Sequence, residues 1–136
     1  MKKVLILFTA LASLTACMQG ANYPIDRGGN IMDRRAELDA HRGVLEIRGL
    51  CLSACTMKLG HPQACTFPNT KFGFHGVYNG SKNVSDLVGH YYSERLPVQL
   101  RAWWRQNAAH LPSSQHEYIM GEELIQRNIV PACGVK

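Results

Sequence analysis

Short apolar runs separated by glycines and prolines make up most of the chain from Tyr23 onward, which predicts brief strands alternating with helices. Strands are predicted at Val44–Arg48, Ala64–Phe67 and Lys71–His75, since each run is short and rich in apolar and β-forming residues. The stretch Tyr23–Gly29 predicts a strand end followed by a tight turn, because paired glycines permit backbone angles that other residues resist.

Helical spacing of apolar residues, with glycines or prolines at the boundaries, marks the segments between these strands. The predicted helices are Asn30–His41, ended by Gly43, Ser53–Leu59, Val84–Gln106 with a second helix beginning at Pro97, and Gly121–Arg127. Ile129–Val130 predicts a last strand, and the apolar stripe from Tyr91 to Trp104 predicts core packing. This order of elements indicates an α/β domain with parallel strand pairs.

One longer apolar run stands apart at the start of the chain. Residues 1–16 have a basic start, an apolar stretch too short to span a membrane, and small residues at the end, as in a signal peptide. Leu14-Thr-Ala-Cys17 resembles the lipobox of bacterial lipoproteins, in which Cys17 receives lipid; in an ordinary secretory signal Cys17 would be incidental. We therefore expect a signal peptide at 1–16, a tether at 17–22 and one domain at 23–136.

This leader predicts a protein of the bacterial cell envelope, anchored to the membrane by lipid on Cys17 and facing the periplasm. Met18 carries no inner-membrane retention signal, which favours the outer membrane. Loss of Lys2 and Lys3 with the leader lowers the formal net charge from +5 to +3. That charge is too small for a nucleic-acid footprint, so no nucleic-acid partner is expected.

Four cysteines follow the leader: Cys51, Cys55, Cys65 and Cys133. An even set in an oxidising compartment predicts two disulfides, and three pairings remain open. A redox pair or metal site at Cys51 and Cys55 is the alternative, but their spacing is not Cys-x-x-Cys and no histidine pair completes a ligand set. We expect neither a metal nor a cofactor.

Ser53 follows an apolar run and opens a predicted helix in the stretch Gly49-Leu-Cys-Leu-Ser-Ala-Cys-Thr56. It is either an ordinary helix cap or a nucleophile presented at a strand-to-helix turn. His75 ends an apolar predicted strand and precedes Gly76, which makes it the leading candidate for a general base. A lone histidine more often has a structural role, and spacing does not show whether the two side chains meet.

Three segments stand out in chain order: the glycine turn Ile25-Asp-Arg-Gly-Gly29, the serine turn Leu52-Ser-Ala-Cys-Thr-Met57, and Phe67-Pro-Asn-Thr-Lys-Phe-Gly-Phe-His75. Together they resemble the proteolytic subunit of Clp protease, within the Clp-protease and crotonase fold. The chain most resembles small periplasmic relatives of that fold with a Cys-Leu-Ser-Ala-Cys-Thr motif. The resemblance covers under half of the chain strongly, and it implies a truncated form of the family's repeated β-β-α spiral.

The resemblance also implies roles for particular residues. Ser53 would be the nucleophile, His75 the general base, and the backbone amides of Gly29 and Ala54 the oxyanion hole. The family's orienting aspartate is missing from Leu111–Tyr118, where the candidates for a third member are Glu117, Ser113 and Ser114. The sequence therefore supports a Ser53-His75 dyad better than a triad.

These expectations lead to a serine hydrolase or peptidase acting on a peptide or protein. The alternative is a non-catalytic lipoprotein that keeps the fold and binds a peptide or a cell-envelope partner in its cleft. The chain is shorter where Clp subunits carry their oligomerising segment, so a closed proteolytic chamber is not expected. The sequence leaves the oligomeric state open.

Overall fold

The computed structural model of the chain describes residues 24–134 and has a mixed α/β fold, which confirms the predicted class. The predicted signal peptide, Cys17 and the tether at 17–22 lie outside the described residues. Among residues 24–134, no helix has the length and apolar character needed to cross a membrane.

The helices and strands are short and follow one another closely. The strands are β1 (Ile25–Asp26), β2 (Leu45–Ile47), β3 (Leu50–Leu52), β4 (Ala64–Thr66), β5 (Lys71–Phe74), β6 (Tyr78–Asn79), β7 (Lys82–Asn83) and β8 (Glu117–Met120). The α-helices are α1 (Ile31–Ala40), α2 (Ser85–Ser93), α3 (Val98–Asn107) and α4 (Gly121–Gln126), and Ser53–Gly60 forms a 3₁₀ helix.

A four-stranded sheet with the order β1-β3-β5-β8 organises the domain. Its first three strands are parallel, as predicted, and β8 runs antiparallel to β5. Strands β2 and β4 form a separate parallel pair, and β6 and β7 form a hairpin. The ends of β1, β3 and β5 therefore meet at one edge of the main sheet, where the antiparallel β8 begins.

The core lies on one face of this sheet. Cys51, Phe72 and Ile119 occupy adjacent strands and are at most 4% exposed, whereas Lys71 and Met120 in the neighbouring row are exposed. The largest side chains with less than 2% exposure are Trp104, Phe72, Phe74, Met57, Leu96, Leu100 and Leu124. Their burial, worth about 1.5–3 kcal/mol for each large apolar side chain, holds the helices against the sheet.

Most predicted helices are confirmed with small changes in their ends. Asn30 caps α1, since its side-chain oxygen accepts hydrogen bonds from the amides of Met32 and Asp33. Pro97 stands directly before α3, as predicted. Gly43 does not end α1: the helix stops at an extended His41, and Gly43 adopts its positive φ in the following turn.

One of the remaining strand predictions is confirmed and one is wrong. The strand predicted at Val44–Arg48 is confirmed as β2, but a further strand in a different sheet, β3, leads into Ser53. Gly49 separates the two with a φ of 76° and packs so closely on Pro24 that a Cβ would lie 2.2 Å from the Pro24 carbonyl oxygen. The strand predicted at Ile129–Val130 is wrong, since these residues form a bend. The nearest strand-like pairing is an isolated bridge between Ala132 and Thr66.

The cysteines form two disulfides, which confirms that expectation and selects one of the three pairings. Cys51 joins Cys55 across four residues, and Cys65 joins Cys133 across 68. The second bond, together with a hydrogen bond from the Cys133 amide to the Thr66 carbonyl, ties the end of the described chain to β4.

Candidate functional site

The three segments singled out in the sequence meet at the edge where the parallel strands end. The glycine turn follows β1, Ser53 follows β3 and His75 follows β5. Ser53, His75 and Gly29 line a single cleft of about 650 Å³, which also borders α1 and α2. The ends of parallel strands commonly form the binding edge of α/β proteins, so the topology alone brings these residues together.

Ser53 has a backbone conformation that is rare outside glycine. Its φ is +57°, and it joins the extended Leu52 to the 3₁₀ helix without a side-chain capping bond. A left-handed non-glycine residue at a sharp strand-to-helix turn is the conformation in which nucleophilic serines are often presented. The helix-cap interpretation therefore finds no support in the hydrogen bonds of this turn.

Two features hold the backbone of Ser53. The Cys51–Cys55 disulfide joins β3 to the 3₁₀ helix on either side of it, and both cysteines are 1% exposed. Thr56 donates its hydroxyl proton to the Ser53 carbonyl at 2.7 Å, so the hydroxyl oxygen of Thr56 accepts a hydrogen bond from the hydroxyl of Tyr92. Burial raises the pKa of Tyr92 and outweighs the opposing hydrogen bond to Thr56, which keeps the phenol protonated as a donor.

The glycine turn packs directly on the serine turn. A Cβ on Gly28 would lie 2.4 Å from the Ala54 nitrogen, so only glycine fits there, and Gly28 has a φ of +89°. A Cβ on Gly29 would meet no atom within 4 Å, so space does not require glycine there. Its φ of +80° does favour glycine, because other residues rarely adopt that conformation. Its amide donates a long hydrogen bond, 3.2 Å, to the carbonyl of Arg27.

The carboxylate of Asp26 holds the glycine turn in place through three hydrogen bonds. Its carboxylate accepts from Lys58 of the 3₁₀ helix at 2.7 Å, from Arg34 of α1 at 2.8 Å and from the Gly28 amide at 2.9 Å. Burial alone would raise the pKa of Asp26, but the bonds from Lys58 and Gly28 and the charges of Lys58 and Arg34 lower it on balance. The ionised carboxylate thus joins β1, α1 and the serine turn.

The side chain of His75 is held by its own backbone neighbour. Its Nδ1 forms a short hydrogen bond with the Gly76 carbonyl oxygen. A carbonyl oxygen only accepts, so Nδ1 carries the proton and Nε2 keeps its lone pair. Burial lowers the pKa of His75 more than this hydrogen bond raises it, and the ring is therefore neutral near pH 7.

Tight packing holds the carbonyl that orients His75. A Cβ on Gly76 would lie 2.4 Å from the Ala109 carbonyl oxygen and 3.0 Å from the Ser85 hydroxyl. Ser85 donates to Ala109 and accepts from the Val77 amide, which closes the loop after β5. Trp104 donates from Nε1 to the His75 carbonyl at 3.0 Å.

The three side chains proposed as a third member, Glu117, Ser113 and Ser114, are exposed, and among the described residues none of them is hydrogen-bonded to the imidazole of His75. Glu117 begins β8 opposite Phe74, while both serines precede that strand. The Gly76 carbonyl is the hydrogen-bond partner of Nδ1 instead. Because it is a backbone group, the pattern of side chains in the sequence could not predict its role.

His116 is a neighbour of His75 that the sequence reasoning missed. Their ring centroids are 5.0 Å apart, with the planes nearly perpendicular at 80°. Burial lowers the pKa of His116 first, and the charge that His75 carries when protonated lowers it further. Pairing of β8 with β5 brings His116 to this edge, and recognising that antiparallel strand would have been the only signal.

Ser53 and His75 share the cleft but are not hydrogen-bonded to each other in the part of the chain that the structure describes. Catalytic hydrogen bonds are often long without substrate and shorten when it binds.

The amide of Ala54 comes before the first hydrogen bond within the 3₁₀ helix, so it has no acceptor inside that helix.

Within residues 24–134, no three His, Cys, Asp or Glu side chains lie close enough together to hold a metal ion.

Neither a comparison with protein-family models nor one with curated proteins finds a match for this chain.

Proposed function

We propose that the chain is a serine hydrolase acting on peptides, with Ser53 as nucleophile and His75 as general base. The observation that carries the proposal is the Nδ1 hydrogen bond from His75 to Gly76. It leaves Nε2 unprotonated in a cleft that also contains a left-handed serine. A buried structural histidine has no need of this tautomer, whereas a base that takes a proton at Nε2 depends on it.

The reaction would proceed in two balanced steps. The Ser53 oxygen attacks the substrate carbonyl while its proton passes to Nε2 of His75, and the leaving amine takes that proton as the carbon–nitrogen bond breaks. Water then attacks the acyl-serine, gives a proton to His75 and releases the acid, and the proton returns to Ser53. The net change is hydrolysis, with no other reactant.

Charge develops on the carbonyl oxygen during attack. The Ala54 amide is the better supported donor, since it has no acceptor within its own helix. Gly29 would contribute as well if its long bond to the Arg27 carbonyl gave way to the substrate oxygen. The neutral Gly76 carbonyl orients His75 but does not stabilise the imidazolium as an aspartate does, so turnover should be slower than in a triad enzyme.

The same proposal includes the Clp-protease/crotonase-like spiral. Its support is the chain order of glycine turn, serine turn and histidine strand on three neighbouring parallel strands. Attachment to the periplasmic side of the envelope through Cys17 is also proposed, supported by two disulfides that suit an oxidising compartment. Release of a Cys17→Ser variant from the membrane fraction would test the anchor.

Non-catalytic peptide binding is the second candidate. It is favoured because, in residues 24–134, neither Ser53 nor any carboxylate is hydrogen-bonded to the imidazole of His75. In that case the cleft would be a recognition surface with the ordered turns as its frame.

Labelling with a fluorophosphonate separates the two candidates. The purified protein is treated with the probe, and the labelled residue is identified by mass spectrometry. The hydrolase predicts labelling at Ser53 that is lost in Ser53→Ala and His75→Ala but kept in Ser81→Ala and His110→Gln, two exposed control positions. Absence of labelling in folded, oxidised protein would reject the hydrolase and leave the binding module.

A further inference from the structure

Among residues 24–134, the cleft is lined by one charged side chain, Arg27, and by no carboxylate. The nearby Asp26 is bound to Lys58 and Arg34. Arg27 is exposed and makes no ion pair or side-chain hydrogen bond with any described residue. A guanidinium without a partner beside the glycine turn is complementary to an anionic group that enters the cleft.

An apolar wall forms another part of the cleft lining. Met32 of α1 is 53% exposed, and Leu87 and Tyr91 of α2 are 75% and 40% exposed. Tyr91 was predicted to belong to the core, but it lies on the cleft instead, while its neighbour Tyr92 is buried. Large apolar side chains exposed together around a concave site indicate a ligand with an apolar group.

Polar groups of the same lining indicate which class of ligand the cleft accepts. Tyr78 and Asn79 line the cleft, together with the backbone of Gly29 and Gly76. Such groups hydrogen-bond to peptide units, whereas a fatty acid presents none beyond its carboxylate.

We propose that the cleft binds the end of a peptide, with Arg27 holding the free C-terminal carboxylate and the apolar wall holding a large last side chain. Arg27 then determines specificity: the protein prefers peptide ends to internal segments. In its catalytic form this inference rests on the proposed hydrolase and would make the enzyme cleave close to C-termini. The binding preference itself does not require turnover.

A nuclear magnetic resonance titration of the purified chain tests the preference directly. The ligands are N-acetyl-phenylalanine and its amide, which differ at the carboxylate alone, with octanoate as a non-peptide carboxylate. The proteins are the wild type, Arg27→Gln, Arg27→Lys and the control Arg105→Gln, an exposed arginine on α3 outside the cleft.

The carboxylate is expected to bind about fivefold more tightly than the amide, with shifts centred on residues 27–32 and 75–79. Arg27→Gln should reduce that difference to about twofold or less, Arg27→Lys should keep part of it, and Arg105→Gln should keep all of it. Equal binding of acid and amide by the wild type, or an unchanged preference in Arg27→Gln, would overturn the proposal. Tighter binding of octanoate than of N-acetyl-phenylalanine would overturn the peptide assignment.

The outcome is independent of the labelling experiment. Carboxylate preference without Ser53 labelling would support this inference and reject the hydrolase. Labelling without carboxylate preference would support the hydrolase and reject Arg27 as its specificity residue.

Discussion

His75 donates a hydrogen bond from Nδ1 to the carbonyl oxygen of Gly76, the residue that follows it in the chain. The orienting group of the proposed base is therefore local in sequence and fixed by backbone packing around Gly76. A side chain in this role can be lost by one substitution. A carbonyl remains whatever residue carries it, although only glycine fits here.

The pH dependence of Ser53 labelling tests the state of His75. The base works when neutral, and burial lowers its pKa below the usual 6.5. As pH rises, labelling should increase with a midpoint below 6.5 and stay level through pH 7.5. The measurement is the pseudo-first-order labelling rate with a fluorophosphonate across this range. A midpoint above 6.5 would contradict a neutral, half-buried base.

The pair of histidines gives a second test that needs no activity. His75→Gln removes a charge that lowers the pKa of His116, so that pKa should rise. It should remain below 6.5, because burial is the larger cause of the shift. The pKa of His116 is measured in the wild type and in His75→Gln by titration of its ring resonances in nuclear magnetic resonance spectra, with His90→Gln as the control variant. An unchanged His116 would show that the two rings are not in contact in solution.

How far the sequence predicted this site depends on which groups form it. Ser53, His75 and Gly29 each follow a run of β-forming residues, and parallel order brings such ends together. The pattern did not separate β3 from the loop before Ser53, since three residues beyond Gly49 are too short for periodicity to show.

The remaining parts of the site depend on contacts between distant segments. Strand β8 is fixed by its pairing with β5 rather than by local preference, so His116 could not be placed from sequence. The Gly76 carbonyl is a backbone atom that every residue has, and only its position relative to His75 makes it significant. Tyr91 and Tyr92 are adjacent and chemically identical, yet helix rotation leaves Tyr91 40% exposed at the cleft and buries Tyr92 to 2%.

The disulfide that matters more for stability should be the one that matters less for the site. In the chain-entropy model, removing the Cys65–Cys133 bond with its separation of 68 should cost about 4 kcal/mol, against about 2 kcal/mol for Cys51–Cys55 with its separation of 4. Labelling of Ser53 should nevertheless fall more when Cys51 and Cys55 are replaced by alanine, since that bond flanks the serine turn. Urea unfolding and probe labelling of the two double variants measure the contrast. If the two double variants lost the same amount of Ser53 labelling at the same folded fraction, the Cys51–Cys55 disulfide would have no role in positioning Ser53.

Gly28 and Gly29 offer a matched pair for the contact between the glycine turn and the serine turn. Both have positive φ, 89° and 80°, so replacing either by alanine places a side chain in the left-handed region at a cost of about 1–2 kcal/mol. Gly29→Ala meets nothing within 4 Å, whereas Gly28→Ala puts a Cβ 2.4 Å from the nitrogen of Ala54 and 2.7 Å from the oxygen of Leu52. Both of those are backbone atoms beside the disulfide-linked turn, and they cannot yield as a flexible side chain does. Gly28→Ala should therefore lose more free energy of unfolding than Gly29→Ala and should displace the Ala54 amide, so that Ser53 labelling falls even where the protein stays folded. Equal destabilisation of the two variants in urea would mean that the turns do not touch, and Ala54 could then not depend on Gly28 for its position.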